Sequence, residues 1–328
     1  MILGLGELLW DLLPEGPRLG GAPANFSVMA GRLGNHAAIL SRIGRDDLGR
    51  QALENLEQLD QAPADAEFVQ VDPAHETGRV RVGLEEGQAS YTILEPSAWD
   101  FLELTDEWVQ LAERANAICF GTLAQRRGES RRTIQTLVGL TQEECVKVFD
   151  VNLRAPFYSD EVIQESVELA SVVKMNDDEV PLVLGLLGLD SRVSEANPHP
   201  SDEDLSLGTP RPGVPGMLRE GAERLLEEFP GLQMVAVTRG GEGSLLVRRG
   251  EWHQHPGIPV KVVDTIGAGD AFTAAMTHYL LRGADLATLN EAGNRWGSWV
   301  ASQAGAMPVL PEGVRAELSA AIEGTEDR

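Results

Sequence analysis

The chain of 328 residues carries 27 basic against 51 acidic side chains, a formal net charge of −24, with 42% hydrophobic and 24% charged residues. That balance suits a globular protein with a large core and disfavours non-specific binding to nucleic acid or anionic membrane, both of which need clustered lysine and arginine. No stretch approaches the ~20 uninterrupted apolar residues of a membrane span, and Glu7 and Asp11 break the apolar N-terminus that a secretory signal would keep intact; Cys119 and Cys145 sit singly in apolar runs, so a reduced, cytoplasmic protein is expected.

Short apolar runs alternate with amphipathic segments along most of the chain. Met1–Leu5 reads as a strand. Pro23–Leu33 reads as a helix, with proline near its start and Gly34-Asn35 as its stop. Ala37–Ile43 is a second strand, and Leu48, Ala52, Leu56 and Leu59 form one helical face. Gly78–Leu84 then places Val80, Val82 and Leu84 at period two, and a turn leads into Ala89–Leu94. This hairpin suits a small separate sheet, a lid, a dimer surface or an extra antiparallel edge on the main sheet. Ala117–Phe120, Val146–Phe149, Val172–Met175 and Met234–Thr238 are further strands with helical segments between them. Asp190–Gly216 holds Pro198, Pro200, Pro210, Pro212 and Pro215 and reads as a long surface insertion. Strand alternating with helix predicts an α/β fold, a doubly wound and mostly parallel sheet with helices on both faces.

Several familiar motifs fail. Gly4-Leu5-Gly6 follows a strand, but Leu9 holds the third glycine position of a dinucleotide fingerprint, which weakens a nicotinamide oxidoreductase. There is no P-loop, no hydrolase elbow and no zinc pattern. His253 and His255 would share one face of a strand, an arrangement open to a metal but commoner for exposed strand histidines.

One segment carries chemistry. In Asp264-Thr-Ile-Gly-Ala-Gly-Asp-Ala-Phe272 the bulk-free Gly267-Ala268-Gly269 sits where a helix begins, so unpaired N–H groups and the positive dipole end can meet an anion closely. Such a cradle suits the charge of a transferring phosphoryl group. Asp270 falls in the first turn, where a carboxylate could accept a hydroxyl proton. The bland alternative is a glycine turn ahead of a helix with a favourable N-terminal aspartate.

Asp264–Phe272 resembles the C-terminal motif of the PfkB/ribokinase-like carbohydrate kinases. Gly20-Gly21-Ala22-Pro23-Ala24-Asn25-Phe26, Leu33-Gly34 and Ile43–Gly49 resemble the family's N-terminal motif. Bacterial fructokinases are the nearest subgroup, through Gly6-Glu7-Leu8-Leu9-Trp10-Asp11, Phe120–Arg126, Phe149–Arg154 and Lys174–Glu179. Val300–Pro311 resembles the family tail. The resemblance runs in order over nearly the whole chain and implies a single ribokinase-like domain, residues 1–328, with a small β lid from about 8–18 and 77–100. The insertion, 190–216, is longer than in many relatives.

By resemblance Asp270 is the general base, and Gly267, Ala268 and Gly269 form the anion hole. Asp11, Gly20, Gly21 and Asn25 ring the sugar, and Arg154 touches the sugar or the transferred phosphate. Asn176, Thr238, Gly240, Gly243, Asn294 and Gly305 border the nucleotide, with Arg239 adding charge or facing solvent. Glu179 serves Mg2+ through water, and Asp264 with the Ile266 carbonyl is the candidate for a monovalent cation, K+. Each has a plainer reading: Gly20-Gly21 as a turn, Asn25 as a helix-start residue, Arg154 as a surface ion pair, Asn176 and Glu179 as helix caps. The implied activity is an ATP-dependent sugar kinase acting on the 6-hydroxyl of D-fructose, with a homodimer through the β lid as a family-based expectation. The rival readings are a kinase for ribose, 2-keto-3-deoxygluconate or adenosine, and a non-catalytic sugar-binding relative.

Overall fold

Fourteen strands are arranged in three sheets in the computed structural model, which describes residues 1–13, 16–59, 63–85, 88–189 and 214–323. The N-terminal part runs β1 (Ile2–Leu5), β2 (Leu9–Leu13), β3 (Gly16–Gly20), α1 (Ala22–Arg32), β4 (Ala37–Leu40), β5 (Arg42–Gly44), α2 (Asp47–Glu57), β6 (Gln70–Asp72), β7 (Gly78–Glu85) and β8 (Gln88–Ile93). It continues with α3 (Asp106–Glu113), β9 (Ala117–Gly121), α4 (Gly128–Leu140), β10 (Val146–Asp150), α5 (Asp160–Leu169), β11 (Val172–Asn176) and α6 (Glu179–Leu186). The last part is α7 (Val214–Glu228), β12 (Met234–Thr238), β13 (Ser244–Arg248), β14 (Glu251–His255), α8 (Ala268–Leu280), α9 (Leu286–Ala301) and α10 (Val314–Glu323).

The main sheet has the order β14-β13-β12-β11-β10-β9-β1-β4; β4 through β12 in that row are parallel, and β13 and β14 form an antiparallel edge. Its parallel strands are mostly apolar because both faces are covered, while the edge strand β14 is polar and largely exposed. Side chains alternate between two cores as the period of two requires. Leu3, Leu5, Phe120, Phe149, Val173, Met175, Val235 and Val237 meet α3 to α7. Ile2, Ile39, Cys119, Val148, Val172, Met234, Ala236 and Leu246 meet α1, α2, α8 and α9. Cys119 and Cys145 are buried free thiols.

The order β4-β1-β9-β10 reverses direction between β1 and β9, so the loops leaving the carboxyl ends of those strands diverge and open a crevice. Glu7, Gly121 and Asp150 stand at or just past those ends, and Asn176 and Thr238 close the neighbouring β11 and β12.

Two expectations need correction, and the alternatives left open for the hairpin narrow to a separate small sheet. Ala37–Ile43 is not one strand: the chain leaves the main sheet at Ser41, because the buried Arg42 places Nε 3.1 Å from Asp72 Oδ2 and donates to the Phe101 carbonyl at 2.6 Å, pulling β5 against β6 in a two-stranded sheet. The hairpin is not an edge of the main sheet. It joins a separate four-stranded sheet of order β3-β2-β7-β8, in which β2 and β7 pair in parallel. Of the insertion, residues 190–213 lie outside the described residues, while Val214–Gly216 already belong to α7.

The small sheet is fastened at both ends. Trp10 of β2 is buried and donates from Nε1 to the Leu48 carbonyl at 3.0 Å. Beyond β8, Asp100 accepts the Ser97 N–H at 2.8 Å and both Nε and Nη2 of Arg126, at 2.7 and 2.8 Å, and the Arg126 guanidinium stacks 4.0 Å over Trp99.

Candidate active site

Asp270 lies in the first turn of α8, whose N-cap Gly267 has φ +79°. That left-handed backbone favours glycine, and a Cβ there would stand 2.7 Å from Ala306 Cα. The Ala268 N–H closes the turn onto the Thr265 carbonyl at 3.2 Å. The N–H groups of Gly269 and Asp270 have no helical carbonyl behind them, as at every helix start, and they carry the positive end of the dipole.

Asn25 comes from α1 on the opposite wall. It is 3% exposed, and its Nδ2 donates to Asp270 Oδ2 at 2.7 Å. Gly21, the N-cap of α1 at φ +114°, makes this possible: a Cβ there would lie 2.3 Å from the Glu7 carbonyl oxygen. Asp11 reaches over from β2 against Gly20, where a Cβ would be 3.2 Å from Asp11 Oδ2. Burial raises the Asp11 carboxyl, with the Arg154 charge opposing and the Asp264 charge adding. Burial also pushes Asp270 up to about 6, with the Asp150 charge adding and the Asn25 hydrogen bond opposing. Arg154 is exposed, donates to the Leu153 carbonyl at 2.9 Å, and spreads its charge over Glu7, Asp11 and Asp270.

Under the glycine turn lies a network the sequence reading did not single out. Lys174 Nζ is 3.1 Å from Asp150 Oδ1, the two being register partners on β10 and β11. Asp150 Oδ2 accepts the Thr273 hydroxyl at 3.1 Å. A Cβ on Gly269 would come 3.0 Å from Lys174 Nζ, so the ammonium stands directly beneath the start of α8. Burial works against its charge, but Asp150, Glu179 and Asp270 outweigh it and the Lys174 pKa rises. The available signal was a lysine in an apolar strand, which must find a partner.

Glu7 was likewise missed as a site residue. It is 3% exposed, accepts the Ala22 N–H on Oε1 at 3.3 Å, and lines a narrow crevice with Pro23, Thr122, Asp150 and Asn152. Burial pushes its carboxyl up to about 7, with the Asp270 charge adding.

At the ends of β11 and β12 the candidates are bound up with local structure. Asn176 Oδ1 accepts the Glu179 N–H at 2.9 Å, and Glu179 returns by accepting the Asn176 N–H at 2.8 Å and the Leu153 N–H at 2.8 Å. That reciprocity is a capping box. Glu179 is 3% exposed, so only an outer, water-separated role toward a metal fits its carboxylate. Thr238 faces Asn176 in register, and Gly240 and Gly243 shape the turn into β13. A Cβ on Gly243 would lie 2.1 Å from the His255 carbonyl oxygen. Arg239 is held toward Glu242, 3.9 Å away. Asn294 is turned inward, its Nδ2 2.6 Å from Ser244 Oγ and 2.8 Å from the Asn290 carbonyl.

The monovalent-cation expectation at Asp264 does not fit the donor set. Arg18 Nη1 lies 2.8 Å from Asp264 Oδ2, which also accepts the Gly305 N–H at 3.1 Å, while Oδ1 accepts the Ile266 N–H at 3.0 Å. The carboxylate faces donors where a cation would need it free, and Gly305 is tied to Asp264. The histidine pair meets α9, but His255 is buried and not exposed: its Nε2 lies 2.8 Å from Glu291 Oε2, and His253 Nδ1 meets Asn290 at 3.1 Å. Among the described residues no group of three or more His, Cys, Asp or Glu could hold a metal ion, and no helix is long and apolar enough to cross a membrane.

Residues 17–313 match the family model described as pfkB family carbohydrate kinase. The chain is 29% identical over 333 residues to a fructokinase of Escherichia coli, covering 94% of this chain and 95% of that protein. Among solved structures, a sugar kinase of Pyrococcus horikoshii in complex with ATP superposes with TM-score 0.73 at 27% identity, covering 97% and 99% of the two chains. A double mutant of the Vibrio cholerae fructokinase, in fructose, ADP and potassium ion bound form, superposes with TM-score 0.73 at 25% identity and 97% coverage of each chain.

Proposed function

The chain belongs to the pfkB family of carbohydrate kinases, and on that premise we propose that it transfers the γ-phosphate of ATP to the 6-hydroxyl of D-fructose. The observation that carries the reading is the hydrogen bond from Asn25 to Asp270 across the crevice, 2.7 Å, beside the glycine start of α8. It joins the wall facing the sugar to the turn facing the phosphates in one contact. The fructose assignment is supported by the Gly6–Asp11 and Lys174–Glu179 segments and by the fructokinase relatives.

Asp11, Asn25 and the backbone at Gly20-Gly21 would hold the sugar hydroxyls, since carboxylate and amide groups read hydroxyls well with the main chain close by. With a pKa of about 6 the Asp270 carboxyl is mostly ionised at neutral pH. The 6-hydroxyl gives its proton to Asp270 as its oxygen bonds to the γ-phosphorus; the bond to the bridging oxygen breaks, and ADP leaves with the electron pair. The N–H groups of Gly269 and Asp270, with Lys174 beneath and Arg154 at the rim, stabilise charge on the transferring group. Magnesium carried on the nucleotide would neutralise its phosphates, with Glu179 and Asn176 holding it through water.

The test is ADP release with magnesium and ATP against fructose, ribose, glucose, 2-keto-3-deoxygluconate and adenosine, with Asp270→Asn in parallel. Turnover of fructose, lowered about 10²- to 10⁴-fold by the substitution, is the expected result. Turnover of another acceptor alone would replace the substrate, and near-normal turnover of Asp270→Asn would remove the base.

A further inference from the structure

A monovalent cation bound beside Asp264 would need carboxylate lone pairs turned toward oxygen donors. Instead three N–H donors converge on this carboxylate, and one of them is a guanidinium at 2.8 Å. Asp264 is 15% exposed and Arg18 42% exposed, so the pair sits at a rim where water or an ion could otherwise serve. Arg18 belongs to β3 of the small sheet and stands opposite Asp11 in the β2–β3 register. Asp264 begins the turn that ends at Gly267 and α8. One ion pair therefore connects the strand pair that carries Asp11 to the segment that carries Asp270, across 246 positions of sequence.

We propose that Arg18 is a positioning residue that supplies, as a tethered guanidinium, the positive charge that a potassium ion would otherwise bring to Asp264, so that the protein is indifferent to monovalent cations. The argument is one of charge and coordination. A single carboxylate in a partly buried turn requires one compensating charge, and Arg18 provides it with a directed, charge-assisted hydrogen bond. A tethered cation is present at a high effective concentration and needs no uptake from solution. The same guanidinium holds the Asp264–Gly267 turn against the small sheet, so closure of that sheet over a sugar and the setting of the anion cradle share one contact.

The activity part of the test rests on the kinase reading above, and the melting part does not. Thermal unfolding without substrate is measured for the wild type, Arg18→Gln and Arg18→Lys in potassium, sodium and tetramethylammonium chloride at equal ionic strength. Fructose turnover is then compared across the same salts. The wild type and Arg18→Lys should melt and turn over alike in all three. Arg18→Gln should melt lower and lose about tenfold or more in turnover in tetramethylammonium, and potassium should restore both in preference to sodium. A wild type stabilised or activated by potassium overturns the proposal, as does an Arg18→Gln protein whose losses potassium does not selectively reverse. Silence with every acceptor would count against the kinase reading, while the melting curves would still decide the role of Arg18.

Discussion

At the scale of single residues, two buried carboxyls, Asp270 and Glu7, should reveal themselves in opposite ways. As the proposed base, Asp270 must be ionised to take a proton, so kcat/KM should fall as pH drops through about 6, the value to which burial raises it. A profile flat from about pH 8 to about pH 5 would show that no carboxylate of this kind governs the rate. Glu7 speaks to stability. Its folded pKa, about 7, lies above the 4.5 of an ordinary glutamate, so the folded state binds more protons and stability declines as pH rises between those values. The span corresponds to about 3 kcal/mol at most. Glu7→Gln keeps an acceptor for the Ala22 N–H and cannot ionise. It should raise Tm near pH 8 and change it little below about pH 5; an equal shift at both would mean that this carboxyl does not titrate in the window.

At the scale of elements, the site depends on how strands end and helices begin. The start of α8 can be tested with two glycines of similar backbone. Gly267 and Gly283 have φ +79° and +77°, but a Cβ on Gly267 would strike Ala306, whereas one on Gly283 would meet nothing within 4 Å. Alanine at either should cost about 1–2 kcal/mol for the left-handed backbone. Urea melts should show Gly267→Ala losing clearly more, and equal losses would mean that Ala306 yields freely. These elements also show what could be read from the sequence. Ala117–Phe120, Val146–Phe149 and Val172–Met175 each read as a strand one residue too short, because Gly121, Asp150 and Asn176 break the apolar run. Those omitted residues are the ones at the mouth of the crevice. Asp11, Asn25, Gly267 and Asp270 were legible because short motifs surround them. Asp150 and Lys174 were not, since they meet only through parallel register between β10 and β11. Arg18 and Asp264 were still less legible, being 246 residues apart.

At the scale of the molecule, the small sheet that carries Asp11 is tied to the body of the protein, and the Asp100–Arg126 pair anchors its exit. Both side chains are buried, at 0% and 2% exposure. Removing one partner strands a buried charge, so Asp100→Ala should lose about 3–5 kcal/mol in denaturant melts. A loss under about 1 kcal/mol, the range of surface pairs, would show that the anchor lies elsewhere. The parallel pairing of β2 with β7 sets an order of events. Pairing Leu9–Leu12 with Gly78–Arg81 closes a loop that contains α1, β4, α2 and the β5–β6 pair. Closing so long a loop is slow, and the reward comes last. As the chain emerges from a ribosome, Asp11 is made before Gly78, so its strand waits unpaired on one side until Gly78 arrives. In a refolding experiment, protection of the β2 amides and competence to bind sugar should therefore appear together, after the amides of β1 and β4 are already shielded.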